Sequence, residues 1–442
     1  MAIVTSAFFN ETAHRWLHAE GMPIVCDLNK SKGVYLHDIQ SGRDFLDFYN
    51  FLSSRLLSYG HPKLSDSAFV ENLGQIAINK PLSFDINIQE YSRFIEIFSK
   101  VVLGGEFSHV FFVNNDSVAV DSALKAAFAW KQQKNLEANK PAKGSQILSF
   151  KEAFHGKTGY ALWLSDNDEL HQCATFPRLS WPQVINPKIH FSLNSETSSA
   201  TVAFEQVALA AIKKSFVENP DDIAAIIIEP IQGEGGDNYF RKEFFLALRH
   251  FCDENECLLI FDEQQTGFAI TGKWWAWQHY KVKPDLLIFS KKTQVSGFAA
   301  TARLDNIVAS MKSSACFSNM FMGNSIDVVR CERLIKIIQE EHLLDNAINI
   351  GKYLHKLLSN LATESTRLSN VRSCGLLAAF DLKTKGERDQ LLKACFKEEL
   401  LLIPCQERSV RMRCALDIKA DAIGRAVAQL EAALYRAFTL SS

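Results

Sequence analysis

The chain has 442 residues, of which 47% are hydrophobic and 22% are charged. A chain of this length can bury a large hydrophobic core, and it suggests roughly two or three domains. The formal net charge of −2 gives no reason to expect nucleic acid or an anionic membrane surface as a partner.

The sequence predicts neither a membrane segment nor an export signal. It contains no run of ~20 uninterrupted apolar residues that could cross a bilayer, and its first residues lack a basic stretch followed by an apolar run. The ten cysteines are scattered, and the closest pair, Cys252 and Cys257, has no companion ligands for zinc. Scattered thiols are typical of a reducing compartment, so we expect a cytoplasmic protein with no membrane partner.

The middle of the chain alternates between short apolar strands and amphipathic helices. The strand-like runs are HVFFV at 109–113, AAIIIEP at 224–230, LLIFDE at 258–263 and LLIFS at 286–290. Continuous apolar strands that alternate with helices predict a parallel sheet covered on both faces. The polar stretch 186–203 is predicted to be a surface loop.

After about residue 325 the pattern changes. Long helical patterns precede a strand-like stretch at 369–382, and a helical pattern at 420–438 closes the chain. This order is typical of a separate α+β domain. We predict an N-terminal segment (1–60) that packs on a small C-terminal domain (326–442), with a large domain (61–325) between them.

Two of the predicted strands end in groups that can work together chemically. Asp262 ends one strand, and Lys291 follows the next. A pyridoxal phosphate enzyme needs a lysine amine that forms a Schiff base with the cofactor and an acid that keeps the pyridine nitrogen protonated. Four apolar residues precede Asp262, so we expect it deep at the carboxyl edge of the sheet, where ligands of open α/β sheets bind. Each residue also has an ordinary interpretation: a surface lysine like its neighbour Lys292, and an aspartate that caps a helix.

Three motifs carry a resemblance to a known family: EPIQGEGG at 229–236, FDEQQTG at 261–267 and KKTQ at 291–294. They resemble the motifs of class III aminotransferases, and KKTQ resembles the lysine ε-aminotransferase branch most closely. The resemblance extends from about Leu46 to the C-terminus. It implies the α/β fold of pyridoxal-phosphate-dependent transferases of fold type I, with a mostly parallel sheet in a large domain and a smaller α+β domain. It also implies a homodimer with shared active sites.

The resemblance implies a set of residues that bind pyridoxal 5′-phosphate. Lys291 matches the catalytic lysine that carries the cofactor and moves the proton. Asp262 matches the partner of the pyridine nitrogen, and Gln265 matches the residue that bonds the phenolic oxygen. Phe154 matches the aromatic residue that stacks on the ring, and His155 follows it in the motif.

The resemblance also implies the residues that bind substrate. Arg411 matches the arginine that clamps the keto acid through a bidentate fork. Arg413 lies two residues further on the same strand face, so the two arginines could exchange roles. Glu234 matches a glutamate that pairs with an arginine and moves aside, and Glu229 matches a second glutamate that supports the ring. Lys157 stands where the lysine branch has an arginine that reaches the substrate α-carboxylate.

The phosphate-binding loop departs from the family pattern. Asp116 replaces a glycine in the loop 114–117. A carboxylate within ~4 Å of the phosphate would cost about 4 kcal/mol per charge at an effective dielectric of ~20. The same aspartate is predicted to cap the following helix, while Ser117 can still donate its hydroxyl. Met320 replaces a threonine that the neighbouring subunit normally lends to the phosphate, and methionine cannot donate a hydrogen bond.

These observations favour an aminotransferase but leave alternatives open. The reaction implied is transfer of the ε-amino group of L-lysine to 2-oxoglutarate, which gives 2-aminoadipate 6-semialdehyde and glutamate. One alternative is a non-catalytic dimeric relative that binds the cofactor weakly, because the changes cluster on the phosphate. Another is an ω-aminotransferase with a different amine donor. A third, a pyridoxal phosphate decarboxylase or epimerase, fits less well because Arg411 and Glu234 suit a dicarboxylate acceptor.

Overall fold

The computed structural model describes residues 22–80, 86, 88–166, 179–308 and 323–438. Its strands are β1 (Tyr35–His37), β2 (Asp44–Asp47), β3 (His109–Val113), β4 (Gln146–Phe150), β5 (Gln183–Val184), β6 (Ile223–Ile228), β7 (Ile231–Gln232), β8 (Asn238–Tyr239), β9 (Leu258–Asp262), β10 (Leu286–Phe289), β11 (Ser296–Ala300), β12 (Ser369–Cys374), β13 (Leu377–Asp381), β14 (Leu400–Leu401), β15 (Ile403–Cys405) and β16 (Ser409–Arg413).

The central sheet has seven strands in the order β3-β11-β10-β9-β6-β4-β5. Neighbours from β10 to β5 run parallel, whereas β11 is antiparallel to both β10 and β3. Every residue of β6, β9 and β10 is buried, because helices cover both faces, which explains their continuous apolar sequences. The prediction of a mostly parallel sheet of fold type I is confirmed.

Besides a four-residue helical segment, Asn50–Ser53, the described residues form the helices α1 (Ser67–Asn79), α2 (Gln89–Ile97), α3 (Asp116–Glu137), α4 (Gly159–Leu164), α5 (Ser195–Glu218), α6 (Lys242–Glu254), α7 (Trp277–Tyr280), α8 (Ser325–Glu340), α9 (Leu343–Glu364), α10 (Lys385–Lys397) and α11 (Ala420–Phe438). A π-helical turn, Phe98–Val102, continues α2, and Ala302–Leu304 forms a 3₁₀ turn. No helix of these ranges is long and apolar enough to span a bilayer.

The predicted surface loop at 186–203 is wrong for its second half, where α5 begins. Asn194 caps this helix by accepting a hydrogen bond of 2.8 Å from the Thr197 backbone N–H, and the Thr197 hydroxyl accepts one of 2.9 Å from the Asn194 N–H. This capping box satisfies two N-terminal backbone donors, so it offsets the weak helix preference of the serines and threonines that follow.

Two smaller sheets contain the C-terminal strands. One has the order β12-β13-β16-β15, and the other has the order β1-β2-β14. In the second sheet, Leu46 near the N-terminus pairs with Leu400. The predicted domain boundaries after residues 60 and 325 remain a prediction. Eight cysteines lie in the described residues as free thiols, and six of them are buried.

Candidate active site

A cavity of about 800 Å³ lies beside Lys291. Its wall combines the start of α3, the loop before α4, the turn after β7 and the segment 385–407, which are distant in the sequence. Six of the predicted site residues line it: Asp116, Ser117, Phe154, Lys157, Glu234 and Lys291. The other described ones, Asp262, Gln265, His155, Glu229 and Arg411, are buried residues. Met320 lies outside the described residues.

Lys291 follows β10 and reaches the cavity from a left-handed backbone with φ of +45°. Burial lowers the pKa of its ammonium, and the nearby Arg411 acts in the same direction, while the Glu234 carboxylate opposes them. The free amine is therefore more abundant at Lys291 than at an exposed lysine. Such an amine can form a bond with an aldehyde and can accept a proton.

Asp262 ends β9 and is bonded to His155. The Oδ2 atom of Asp262 lies 2.7 Å from Nδ1 of His155, and both side chains are buried. Burial alone would lower the pKa of His155, but the bond to Asp262 and the charge of this carboxylate outweigh it, so the pKa is raised. The expected role of Asp262 at the cofactor pyridinium stays a prediction, and the structure adds His155 as a partner of this carboxylate. This pairing was not predicted because the two residues are 107 positions apart in the chain.

Glu229 holds two loops together beneath the cavity. Its carboxylate accepts hydrogen bonds from the backbone N–H groups of Phe154 at 3.0 Å and Gly233 at 3.1 Å. Burial raises its pKa to about 7, against the opposing effect of His155. Glu229 therefore fixes the position of the loop that carries Phe154.

Glu234 and Arg411 form an ion pair at the edge of the cavity. The Nη2 of Arg411 donates to Oε2 of Glu234 at 2.9 Å, and the Nε2 of Gln265 donates to Oε1 of Glu234 at 3.3 Å. Burial would raise the pKa of Glu234, but Arg411 and Lys291 lower it overall. The Arg411 side chain is 2% exposed, while that of Glu234 is 33% exposed. The carboxylate is thus the partner with room to move.

The structure distinguishes the two arginines of β16. Both nitrogens of the Arg413 fork are bonded to the buried carboxylate of Asp237, one of them at 2.8 Å. Arg413 is therefore bonded to a buried acid of the protein itself, whereas among the described residues Arg411 forms an ion pair with the half-buried Glu234 alone. Of the two, Arg411 is the one that can exchange its partner for a ligand.

The start of α3 satisfies its own backbone. Asn115 caps the helix, because its side chain accepts from the Val118 N–H at 3.0 Å. The prediction that Asp116 would be the cap is wrong by one position, since Asp116 is already the first helical residue and its Oδ1 accepts from the N–H of Ser117 at 2.8 Å. Two of the N–H groups that a phosphate would use are therefore bonded to side chains of the same loop.

Gly156 and Ser117 meet at a close approach. A Cβ on Gly156 would lie 2.5 Å from the Ser117 hydroxyl oxygen, and the glycine has φ of +149°. The Ser117 hydroxyl accepts a bond of 3.3 Å from the Lys157 N–H, which leaves its own proton free to donate. The Lys157 side chain is exposed, and no partner for its ammonium occurs among the described residues.

Several residues of the cavity wall were not predicted. Leu52, Lys385, Arg388 and Cys405 also line the cavity. No local sequence pattern predicts that these residues line the cavity, because tertiary packing brings each of them there. Lys292 was also missed: it served as an example of an ordinary surface lysine, yet it is 1% exposed.

Comparison with known proteins decides the family. The model of the family described as "Aminotransferase class-III" matches residues 17–434. The chain belongs to the class III aminotransferases. It is 38% identical over 429 residues to an L-lysine-epsilon aminotransferase of Mycobacterium tuberculosis, covering 96% of this chain and 95% of the relative. A 4-aminobutyrate aminotransferase of Dictyostelium discoideum is 30% identical over 407 residues, covering 88% and 80%. The structure of the M. tuberculosis lysine aminotransferase in its internal aldimine form matches with a TM-score of 0.93 and 37% identity, covering 99% of this chain and 100% of the other.

The class III aminotransferases depend on pyridoxal phosphate, and the cavity fits the ring of that cofactor better than its phosphate. Within the described residues, buried polar atoms without a partner remain at His155 Nε2, Gln265 Oε1 and Arg411 Nε. Together with the amine of Lys291 they provide donors and acceptors for a ring with polar substituents. The loop around Asp116 offers a carboxylate and bonded N–H groups instead, which suits an anion poorly.

Proposed function

We propose that this protein transfers the ε-amino group of L-lysine to 2-oxoglutarate, giving 2-aminoadipate 6-semialdehyde and glutamate. The ion pair between Arg411 and Glu234 beside Lys291 carries the proposal. A donor that brings an amine needs no free guanidinium close to Lys291, whereas a dicarboxylate acceptor does. Because Glu234 is partly exposed, it can leave Arg411 when the keto acid binds and return when lysine binds.

In this proposal the residues divide the work as follows. Lys291 would hold the cofactor, and its amine would carry the proton to and from the substrate carbon, which its lowered pKa favours. Pyridoxal phosphate, when bound, would supply an electron sink for the carbon that loses its proton. The buried pair of Asp262 and His155 would hold the ring nitrogen, Phe154 would stack on the ring, and Gln265 would bond the ring oxygen.

A second amine donor is favoured by one observation. Lys157 presents a single exposed ammonium and lacks the planar fork of an arginine, so it holds a substrate α-carboxylate less firmly. Another ω-amine, such as 4-aminobutyrate or ornithine, would use the same residues. The similarity to a 4-aminobutyrate aminotransferase supports this candidate, although the lysine aminotransferases are more similar.

The test is an absorption spectrum of the purified protein with added pyridoxal phosphate. We expect a band near ~420 nm that declines in favour of one near ~330 nm when L-lysine is added and returns with 2-oxoglutarate, as is usual for this cofactor. A band that responds to 4-aminobutyrate or ornithine but not to L-lysine would show that the amine donor is one of those compounds. The complete absence of a cofactor band would contradict the proposed activity.

The matched control is Lys291→Ala. It should remove the band near ~420 nm and all turnover while the protein stays folded, because the other described lysines that line the cavity, Lys157 and Lys385, belong to other segments of its wall. Retained turnover would contradict the role of Lys291. We also propose a homodimer as the active assembly; light scattering should give twice the mass of the chain, and a fully active monomer would refute this.

A further inference from the structure

Lys292 follows Lys291 directly, yet its environment is entirely different. Lys291 lines the cavity, whereas the side chain of Lys292 is 1% exposed and is not part of the cavity wall. The backbone of Lys291 is left-handed, with φ of +45°, and the two side chains have different surroundings. Lysine is among the residues least often fully buried, so a buried lysine next to a catalytic one requires a reason.

The ammonium nitrogen of Lys292 has one described contact. Its Nζ donates a hydrogen bond of 2.7 Å to the backbone carbonyl oxygen of Gln265. Within the described ranges, no carboxylate forms an ion pair with Lys292, and no other hydrogen bond reaches that carbonyl. Lys292 is therefore the group that satisfies this buried acceptor.

Lys292 does not act as a counter-ion. Burial lowers its pKa far below the usual value, and the cations Arg413 and Lys291 act in the same direction. The acid that opposes this effect, Asp237, is already held by the Arg413 fork. Charged or neutral, the amine of Lys292 can donate a hydrogen bond. A methionine would fill similar space without losing the hydration of an amine, so the bond to Gln265 is what distinguishes lysine here.

The carbonyl that Lys292 holds belongs to a residue of the site. The Gln265 side chain donates to Glu234 at 3.3 Å, and Glu234 in turn accepts from Arg411 at 2.9 Å. A Cβ on Gly233 would lie 2.9 Å from Gln265 Cγ, so the side chain is packed closely against the neighbouring loop. The position of the Gln265 side-chain amide consequently depends on the position of the Gln265 backbone.

We propose that Lys292 is a positioning residue, which holds the Gln265 carbonyl and thereby fixes the Gln265 amide between Glu234 and the ring oxygen of the cofactor. The inference rests on the proposed role of Gln265 at the cofactor, and it does not depend on which amine is the donor. Lys292 is not a substitute for Lys291, because its amine has no access to the cavity.

The chain provides a matched control for testing this. Lys131 is also 1% exposed, and its Nζ donates to the Glu256 carbonyl at 2.8 Å and to the Asn255 carbonyl at 3.5 Å, away from the site. Lys292→Met and Lys131→Met each remove a buried amine that donates to backbone carbonyls, so both should lower Tm by a similar amount. Only Lys292→Met should shift the pH midpoint at which the band of the bound cofactor near ~420 nm changes, by about one pH unit.

A second readout needs no cofactor. In the protein without pyridoxal phosphate, hydrogen exchange of the turn 263–267 should be about tenfold faster in Lys292→Met and unchanged in Lys131→Met. In a Gln265→Ala background, adding Lys292→Met should cause no further shift of the pH midpoint, because the two residues then act through one contact. Equal effects of both methionine variants on the turn and on the band would overturn the proposal.

Two further outcomes are distinguishable. If L-lysine leaves the spectrum unchanged while Lys292→Met still shifts the midpoint, the donor is wrong and the positioning role stands. If Lys292→Met does not fold, Lys292→Leu, which also lacks a donor for the Gln265 carbonyl, takes its place. Faster exchange of the turn in Lys292→Leu than in Lys131→Met supports the proposal, and exchange like that of the unaltered protein refutes it.

Discussion

The polar groups at the two ends of the cavity differ in how many of them are hydrogen-bonded within the protein. Near the ends of β9 and β10, Asp262 is bonded to His155, and Glu234 accepts from Gln265 and Arg411. Several buried polar atoms of the described residues nevertheless remain without a partner there. At the start of α3, by contrast, Asn115 and Asp116 bond the first N–H groups of the helix. The first end therefore has polar atoms that a ligand could bond, whereas the N–H groups named at the second end are already bonded to side chains.

This difference teaches that family membership does not imply uniform preservation of a site. The groups at the ends of β9 and β10 each need a specific hydrogen-bonding or charged partner, so a change in one of them would leave its neighbour without that partner. The phosphate end needs only positive potential and free donors, which a loop can lose by a single change to aspartate. The following experiments test whether the two ends differ in function as they do in structure.

The largest effect is expected from Asp262→Asn. The amide keeps the shape but not the charge that His155 faces and that the cofactor ring would face in the proposed function, so kcat should fall by on the order of 10²-fold or more. The control is Glu263→Gln. Glu263 is an equally buried neighbour, and among the described residues its carboxylate accepts from Ala276, Trp277 and Thr266. Steady-state kinetics should show the loss in the first variant alone; equal loss in both would mean that buried charge, rather than contact with the site, is responsible.

Arg411→Gln should affect the acceptor more than the donor. Without the guanidinium, KM for 2-oxoglutarate should rise by about 10- to 100-fold, because hydrogen bonds between charged groups contribute about 1.5–3 kcal/mol. Arg413→Gln should instead lower stability by about 3–5 kcal/mol, since it leaves the buried carboxylate of Asp237 unpaired. Kinetics and urea unfolding separate the two; a larger rise in KM from Arg413→Gln would exchange the roles of the arginines.

Asp116→Asn should strengthen cofactor binding. Removing one negative charge near the phosphate should lower the Kd for pyridoxal phosphate by about tenfold, less than the unscreened Coulomb energy suggests because Asp116 is only half-buried. Asn115→Asp is the opposite change, which keeps a capping side chain while adding a charge, and it should weaken binding. Fluorescence titration measures both; an unchanged Kd in both variants would show that the phosphate binds elsewhere.

The smallest effect concerns pH and stability. The pKa of Glu229 and that of Glu263 are each raised by burial to about 7, from 4.5. The folded protein therefore binds more protons than the unfolded chain in this window, so stability falls as pH rises from 4.5 to 7, by about 1 kcal/mol per pH unit for each group. Urea unfolding should show a shallower decline in Glu263→Gln; an identical slope would exclude Glu263 as a contributor.

The sequence predicts some parts of this molecule much better than others. The strands that end in Asp262 and precede Lys291 are readable because burial on both faces demands unbroken apolar runs. The start of α5 was misread, since a capping box depends on two side chains rather than on hydrophobic pattern. The partner of Asp262 was also missed, because a contact between distant loops leaves no periodic signal. The burial of Lys292 was the hardest feature to predict, because a lysine is rarely buried.

The pairing of β2 with β14 has a consequence for how the protein is made. Arg43 and Glu399, 356 residues apart, form a contact of 2.9 Å beside this pairing, and the cavity wall takes residues from both neighbourhoods, including Leu52 and Cys405. A ribosome releases the N-terminal strand long before its partner exists. The cavity wall is complete only when residues 385–407 have been synthesised, so we expect the cofactor to bind after nearly the whole chain has been made.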